Sequence, residues 1–278
     1  MTDNLALPHH ERIEDRIFLR GVDLIDSGDA SALALLLKEE PGLIHQRVAF
    51  EGGNYFRNPS LLEFIAENPV RRGALPPNIV EVAMILLEAG PECSAVNDTL
   101  GLVVSGRVPR ECNVQIPLID VLCKYGADPN PPLQTAAVHG EFAAVLELIR
   151  LGAKPELPIL AALGNTEDFL RHLPSADSGQ RHLALALAAQ YGHAEMVRAL
   201  LDAGEDPNRY NPPGAHPHST PLHQAALAGY LSVVTLLVQR EAKLDIKDKI
   251  WQGTPADWAR YEGRAEVEAY LREPSRGR

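Results

Sequence analysis

The strongest constraint on the fold is a short phrase that occurs twice near the C-terminal end of the sequence. The first copy runs from Thr220 to Ala226 (TPLHQAA) and is followed by Gly229. The second copy begins 34 residues later, at Thr254, and is followed by Gly263 at the same offset. Repetition at such a period is typical of architectures in which similar units stack and share a continuous core. We therefore expect an array of repeats.

The residue types at the start of each copy predict the beginning of a helix. Thr220 and Thr254 are of a type that commonly caps the first turn of a helix. Pro221 and Pro255 follow them, and proline suits the first helical position because its missing N–H has no partner there. Each copy is thus expected to open a short helix.

The residues behind this start indicate two helices packed as a pair. Leu222 and the alanines after it share one helical face, and Gly229 can end the helix in a left-handed conformation. Apolar residues at helical spacing from Val233 to Leu237 predict a second helix. The same order of helix, glycine and helix occurs upstream in weaker form. These weaker copies end near Gly126, Gly152 and Gly204, with room for a compact repeat at 157–173.

The phrase resembles the signature of the ankyrin-repeat family, Thr-Pro-Leu-His-x-Ala, and Thr220–Ala225 matches it at every fixed position. Gly126–Asn130 (GADPN) likewise resembles the turn that follows the outer helix in this family. The resemblance implies an all-α solenoid of helix–turn–helix units with finger loops, in which His223 bonds between adjacent repeats. About seven to eight repeats are expected, the N-terminal ones degenerate.

One ankyrin-repeat domain is predicted over residues 1–278, because no linker-like or low-complexity segment divides the chain. Residues 118–272 carry the clearer repeats, and 273–278 form a short polar tail. The degenerate part covers 13–117. Its predicted helices lie at 13–24, 30–38, 60–67 and 79–90. Such a standalone array resembles bacterial ankyrin-repeat proteins more than the long eukaryotic scaffolds.

Composition argues against several classes of function. A formal net charge of −11 disfavours a general nucleic-acid binder, which needs a basic face. No apolar stretch approaches the roughly 18 residues of a membrane span, and the N-terminus has no signal-peptide core. Cys93, Cys112 and Cys123 are odd in number and form no CxxC pair, so we expect buried thiols in a reducing compartment. A cytoplasmic protein with no nucleic-acid or membrane partner is predicted.

Motifs for catalysis are missing from the sequence. It contains no GxSxG elbow, no phosphate-binding GxxxxGK[ST] loop and no HExxH pair. We therefore expect no catalytic residue and no cofactor, and a protein that is not an enzyme. The family resemblance instead implies binding of a protein partner through the concave surface made by finger loops and inner helices.

The first irregular finger leads into the helix predicted at 60–67. Asn54, Tyr55, Phe56 and Arg57 follow two glycines there. Tyr and Arg are enriched at binding hot spots, so these four residues are predicted to contact the partner. The alternative left open is that Tyr55 or Phe56 folds back over the N-terminal core.

The second irregular finger precedes Thr220 and carries Tyr210, His216 and His218. Its prolines indicate a rigid loop, and these three residues are predicted to contact the partner. Since neutral imidazole is a good metal ligand, His216, His218 and His223 also suggest a second hypothesis. In that alternative the finger binds a small molecule or metal and supports an undescribed enzymatic activity. No cysteine or carboxylate stands at supporting spacing, so no metal site is predicted.

The third irregular finger carries Trp251 where the family has a short polar turn. Tryptophan at a loop tip is typical of a binding anchor, so Trp251 is predicted to contact the partner. The alternative is that Ile250 and Trp251 pack onto the preceding finger, against Tyr210.

Alignment on the helix-ending glycines adds residues on the inner helices. His139, Gln190 and Tyr191 stand just before such glycines, in a region that faces the groove in this family, and are predicted to contact the partner. His193 and Tyr230 directly follow glycines and are expected to be structural. The residues assigned a structural role in the repeat are Thr220, Pro221, Leu222, His223, Gly229, Thr254 and Pro255. A monomer is expected, with a homodimer through the N-terminal repeats as the alternative.

Overall fold

A computed structural model of the protein describes residues 13–49 and 56–273. Regular structure in these residues is helical apart from an isolated bridge between Arg47 and Ser60, which confirms the predicted all-α repeat fold. The chain forms two compact units, Met1–Ala153 and Lys154–Arg278, called here the first and the second unit. None of the described helices has the length and apolar character needed to cross a membrane.

The described part of the first unit contains four helix pairs, in which the earlier helix is called inner and the later one outer. The inner members are α1 (Arg16–Ser27), a 3-10 helix (Leu61–Ala66), α4 (Cys93–Val104) and α7 (Pro131–Val138). The outer members are α2 (Ala30–Glu39), α3 (Ile79–Glu88), α6 (Gln115–Lys124) and α8 (Phe142–Arg150). A 3-10 turn (Pro41–His45) follows α2, and a short α5 (Arg107–Glu111) precedes α6.

The described part of the second unit also contains four pairs. Its inner helices are α9 (Leu157–Leu163), α11 (Ser178–Gln190), α13 (Pro221–Ala228) and α15 (Pro255–Tyr261). Its outer helices are α10 (Thr166–His172), α12 (Ala194–Asp202), α14 (Leu231–Gln239) and α16 (Ala265–Arg272). A 3-10 turn (Leu173–Ser175) follows α10. The four pairs in each unit agree with the upper end of the predicted repeat count.

The inner helix predicted at 60–67 is a 3-10 helix that ends one residue earlier than expected. Glu67 adopts a left-handed backbone conformation, with φ at 46°. Its carboxylate accepts hydrogen bonds from the backbone N–H groups of Arg71, Arg72 and Gly73. The chain therefore turns away from the helix axis at Glu67.

A buried ion cluster fixes the loop that follows this turn. The Arg71 guanidinium pairs with Asp26 of α1 at 2.7 Å and with Glu67 at 2.9 Å, and all three side chains are at most 4% exposed. It also lies 5.0 Å from the ring centroid of Phe64. Arg72 adds a contact to Asp26 at 2.8 Å. Removing one partner of such a cluster leaves an uncompensated buried charge, so the loop is held firmly against α1.

Alanine side chains fill the space between the inner helices of the second unit. Ala184 and Ala188 of α11, Ala225 of α13 and Ala259 of α15 are fully buried in one apolar cluster. Small side chains allow these helices to approach closely, and larger residues such as Leu200 of α12 fill the space nearer the outer layer. The core is thus shared between repeats.

Successive repeats of the second unit are joined where their inner helices end. The helix-ending Gly164, with φ at 72°, is so close to His193 of the next repeat that a Cβ would lie 2.6 Å from its ring. His193 Nε2 is also 3.1 Å from the carbonyl oxygen of Ala162. The next two repeats show the same arrangement. The corresponding pairs are Gly192 with Tyr230 and Gly229 with Arg264.

A buried aspartate shapes the last finger. Asp248 accepts hydrogen bonds from the backbone N–H groups of Ile250, Trp251 and Gly253 at 2.9, 2.6 and 2.8 Å. The indole N–H of Trp258 donates a fourth at 3.1 Å. Burial alone raises a carboxyl pKa, but these four donors outweigh it and hold the pKa of Asp248 at about 2.

Replacing Gly192 is expected to destabilise the second unit more than replacing Gly204. Both have left-handed backbone, with φ at 81° and 92°, so Gly204→Ala carries the conformational strain alone, roughly 1 to 2 kcal/mol. In Gly192→Ala the new Cβ would also meet the Tyr230 ring at 2.8 Å, whereas nothing lies within 4 Å at Gly204. Urea unfolding should show a further loss of about 1 to 3 kcal/mol for Gly192→Ala. Equal losses would contradict the proposed joint between repeats.

Asp248→Asn is expected to lower the free energy of unfolding by about 2 kcal/mol at pH 7. An amide cannot accept all four donors. Because the folded-state pKa of Asp248 is lowered to about 2, its stabilisation is full above the unfolded pKa and is lost as the pH falls towards 2. The difference between wild type and variant should therefore shrink to about half at pH 3. Asp245→Asn, at an exposed position of the same finger, is the control and should change little at either pH.

Candidate functional site

The tip of the last finger presents a large aromatic side chain to solvent. Trp251 is 68% exposed, although its backbone N–H is held by Asp248. One part of its ring packs against His218 and Trp258, at centroid distances of 5.3 and 5.9 Å. The neighbouring Ile250 is exposed as well. The tip is therefore apolar and accessible, yet fixed in position.

A cavity of about 740 Å³ opens beside this tip, and we call it the aromatic pocket. Its walls come from the last finger, from α15 and the turn after it, and from the end of α13. The lining residues are Leu227, Trp251, Gln252, Gly253, Asp257, Trp258, Arg260, Tyr261 and Glu262. Tyr261 is 85% exposed, so the pocket has a second accessible aromatic side chain at its rim.

Tyr261 is a candidate that the sequence analysis did not identify. It stands two residues before Gly263, as Gln190 does before Gly192 and Leu227 before Gly229. Extending the glycine alignment to the last repeat would have predicted it, together with Glu262.

The charged groups of the pocket are unevenly paired. Asp257 accepts from the backbone N–H and the hydroxyl of Thr254, at 3.0 and 2.7 Å, and the backbone bond is the main reason why the pKa of Asp257 is lowered. It also pairs with Arg272 at 3.0 Å and with Arg260 at 3.6 Å. Glu262 is exposed and forms no ion pair with any described residue. The pocket thus has one carboxylate whose charge is not balanced locally.

The second and third irregular fingers are bound to each other. The Tyr210 hydroxyl donates to the carbonyl of Lys247 at 2.7 Å, and the Lys249 ammonium lies 4.0 Å from the centre of the Tyr210 ring. The Lys249 backbone N–H donates to the carbonyl of His218 at 2.8 Å. Tyr210 therefore contacts the lysines of the last finger, while Trp251 packs against His218 instead of Tyr210.

The histidines considered as metal ligands take different positions. The rings of His216 and His218 are 6.1 Å apart, and His218 lies against both tryptophans. His223 is fully buried: its Nδ1 accepts from the backbone N–H of Thr220 at 3.2 Å, and its Nε2 is 3.2 Å from the carbonyl oxygen of Gly253. Burial lowers the pKa of His223. Within residues 13–49 and 56–273, no three His, Cys, Asp or Glu side chains are grouped to hold a metal ion.

The first irregular finger lies partly outside the described residues, which exclude Asn54 and Tyr55. Phe56 is only 3% exposed and packs edge-on against Phe64 at 5.4 Å, so its prediction as a surface contact is corrected. This burial agrees with the alternative in which an aromatic residue of the finger covers the core. Arg57 is exposed, and its contact with a partner stays a prediction.

Arg57 and His139 line the same groove in the first unit, a cavity of about 1010 Å³ whose lining residues are mostly of polar type. The Arg47 guanidinium crosses the groove wall and contacts the Asn58 carbonyl, Glu63 and Asp98 at 3.0, 3.2 and 3.0 Å. Burial raises the pKa of Glu63. The structure thus brings together two predicted contact residues, but the polar groups around them are largely bonded to one another.

The remaining predicted residues lie in the second unit or near the helix ends. Gln190 and Tyr191 are half-buried, and the Gln190 amide donates to the Tyr191 hydroxyl at 2.9 Å. Pro221, Leu222 and Pro255 are buried at the starts of inner helices, and Gly229 ends α13 with φ at 87°.

The cysteines depart in part from the expectation of buried thiols. Cys93 is exposed, and Cys112 and Cys123 are half-buried; all three are free. Burial raises the pKa of Cys123 to about 11, so this group is a thiol at neutral pH and a poor nucleophile.

Comparison with known proteins agrees with this architecture. The family model described as ankyrin repeats (3 copies) matches residues 158–249. Cyclin-dependent kinase 4 inhibitor B of Bos taurus is 33% identical, with 32% of this chain and 88% of that protein covered. Cyclin-dependent kinase inhibitor 2A of Homo sapiens is 33% identical, with 37% of this chain and 86% of that protein covered.

A third relative shares only a segment. Ankyrin repeat and SAM domain-containing protein 6 of Mus musculus is 34% identical over 35% of this chain, and the match spans 11% of that protein's length. The repeat signature, the paired helices and the near-complete coverage of the two inhibitors agree with one another. The chain belongs to the ankyrin-repeat family.

Proposed function

We propose that this protein binds a partner protein through the aromatic pocket and the fingers beside it. The observation that carries the proposal is the exposure of Trp251 and Tyr261, which both line one cavity. Tryptophan and tyrosine are enriched among the residues that contribute most to binding. Large exposed apolar groups that surround a cavity are typical of interaction sites.

The support beneath these side chains also favours binding. Asp248 fixes the backbone at Trp251, and the bonds from Tyr210 and Lys249 fix one finger against the other. A surface that is already ordered loses little conformational entropy when a partner docks, so more of the contact energy remains as affinity.

The relatives support a protein as the partner. Two of them are named as inhibitors of cyclin-dependent kinases, which says that they act on proteins. Only the class of partner is carried over to this chain. The short segment shared with the mouse protein adds nothing on partner identity.

The alternative of a small-molecule or metal site on the histidine-bearing finger has less support. His223 uses both ring nitrogens within the fold, and His218 is packed between aromatic rings. We propose binding without catalysis, by a monomer in the cytoplasm. The free thiols and the net charge of −11 suit a reducing compartment and a partner other than nucleic acid.

Replacing both anchors should abolish capture of the partner without unfolding the protein. Proteins retained from a native lysate by the immobilised wild-type chain are identified by mass spectrometry and compared with those retained by a Trp251→Ala/Tyr261→Ala variant. For an identified partner, calorimetry should show an affinity at least about 30-fold weaker, as expected when a binding hot spot is lost.

The matched control is Leu170→Ala, which removes an exposed apolar side chain from outer helix α10 of the same unit. This control, the double variant and wild type should have nearly the same melting temperature, since surface truncations change stability little. If both variants retain the same proteins with the same affinity as wild type, the aromatic pocket is not the binding surface.

A further inference from the structure

We infer that the aromatic pocket accepts a cationic side chain, lysine or arginine, from a basic segment of the partner. This inference rests on the proposed function, because it names the chemistry of the partner at the same site. It follows from three properties of the pocket: the arrangement of its rings, its unbalanced carboxylate and the charge of the chain around it.

Three aromatic residues line one cavity. Trp251 and Trp258 stand at 65° to each other with centroids 5.9 Å apart, and Tyr261 lies at the rim. A cation within about 6 Å of a ring centroid is attracted to the face of the ring, most strongly for tryptophan. Lysine and arginine can also lay their aliphatic stems along such rings while the charged head stays hydrated.

The charges of the pocket favour a cation over a neutral or acidic group. Among the described residues that line the cavity, Arg260 is the only basic one, and Asp257 pairs with it at 3.6 Å and with Arg272 at 3.0 Å. Glu262 lines the same cavity and has no ion-pair partner among the described residues. A bound ammonium or guanidinium group would give Glu262 an ion-pair partner.

The charge of the whole chain acts in the same direction. Its 37 acidic and 26 basic residues give a net charge of −11, which attracts a basic partner at long range. The partner that this surface fits is therefore a basic segment with one cationic side chain that packs on the exposed aromatic rings of the pocket.

Intrinsic fluorescence provides a direct test, because the two tryptophans of the sequence both line the pocket. The full chain is titrated with a short glycine–serine peptide that carries one central arginine. The controls are the same peptide with citrulline, which is neutral and nearly isosteric, and sodium chloride at matched ionic strength. We expect saturable binding that is about threefold to thirtyfold tighter for arginine than for citrulline.

Two variants separate the contributions of ring and charge. Trp251→Ala should remove the saturable change, which Trp258 would still report. Glu262→Gln keeps the size of the side chain, so it should weaken binding of the arginine peptide and leave any binding of the citrulline peptide unchanged. Equal affinity for the two peptides, or no saturable change with either, would overturn the inference.

Failure of the inference and failure of the proposed function give different results. In one case the anchor variant loses the partner, but the arginine and citrulline peptides bind with equal affinity. The binding surface is then supported, and the inference of a cationic ligand is overturned. In the other case the pocket binds the arginine peptide selectively and Trp251→Ala abolishes this binding, but no protein is captured through the anchors. This result supports the cationic pocket and counts against a protein partner.

Discussion

Contact between neighbouring inner helices is the interaction on which the second unit depends. A pair of short helices has too little core of its own, so each repeat buries its apolar face against the next. Alanines such as Ala188 and Ala225 keep these helices close, and His193, Tyr230 and Arg264 cover the glycines that end the helix before them. The ends of the inner helices and the fingers are therefore fixed by residues of adjacent repeats.

This support explains how an exposed apolar tip persists on a folded protein. Asp248 accepts hydrogen bonds from three backbone N–H groups of its finger and from the indole of Trp258, so one buried carboxylate holds the tip in position. Trp251 then projects from a fixed base beside Tyr261. The same buried carboxylate thus links the stability of the last repeat to the geometry of the proposed binding surface.

The helices of the second unit could be predicted because residues within each repeat determine where its helices begin and end. Thr220 and Gly229 determine the ends of their helix locally, so sequence alone located it. Helix α4 was missed because the Glu92 side chain accepts no capping hydrogen bond at its start and no left-handed glycine ends it. The pairing of Arg71 with Asp26 joins residues 45 apart in the sequence, and such contacts, like the burial of Phe56, depend on tertiary packing that no local pattern reveals.

Binding through Trp251 as proposed requires that the finger around this residue is ordered before any partner binds. Hydrogen exchange of the backbone amides of Ile250, Trp251 and Gly253 in the free protein tests it most directly, because each donates to the Asp248 carboxylate. We expect slow exchange of all three amides in wild type and fast exchange in Asp248→Asn. Fast exchange of these amides in wild type would contradict it.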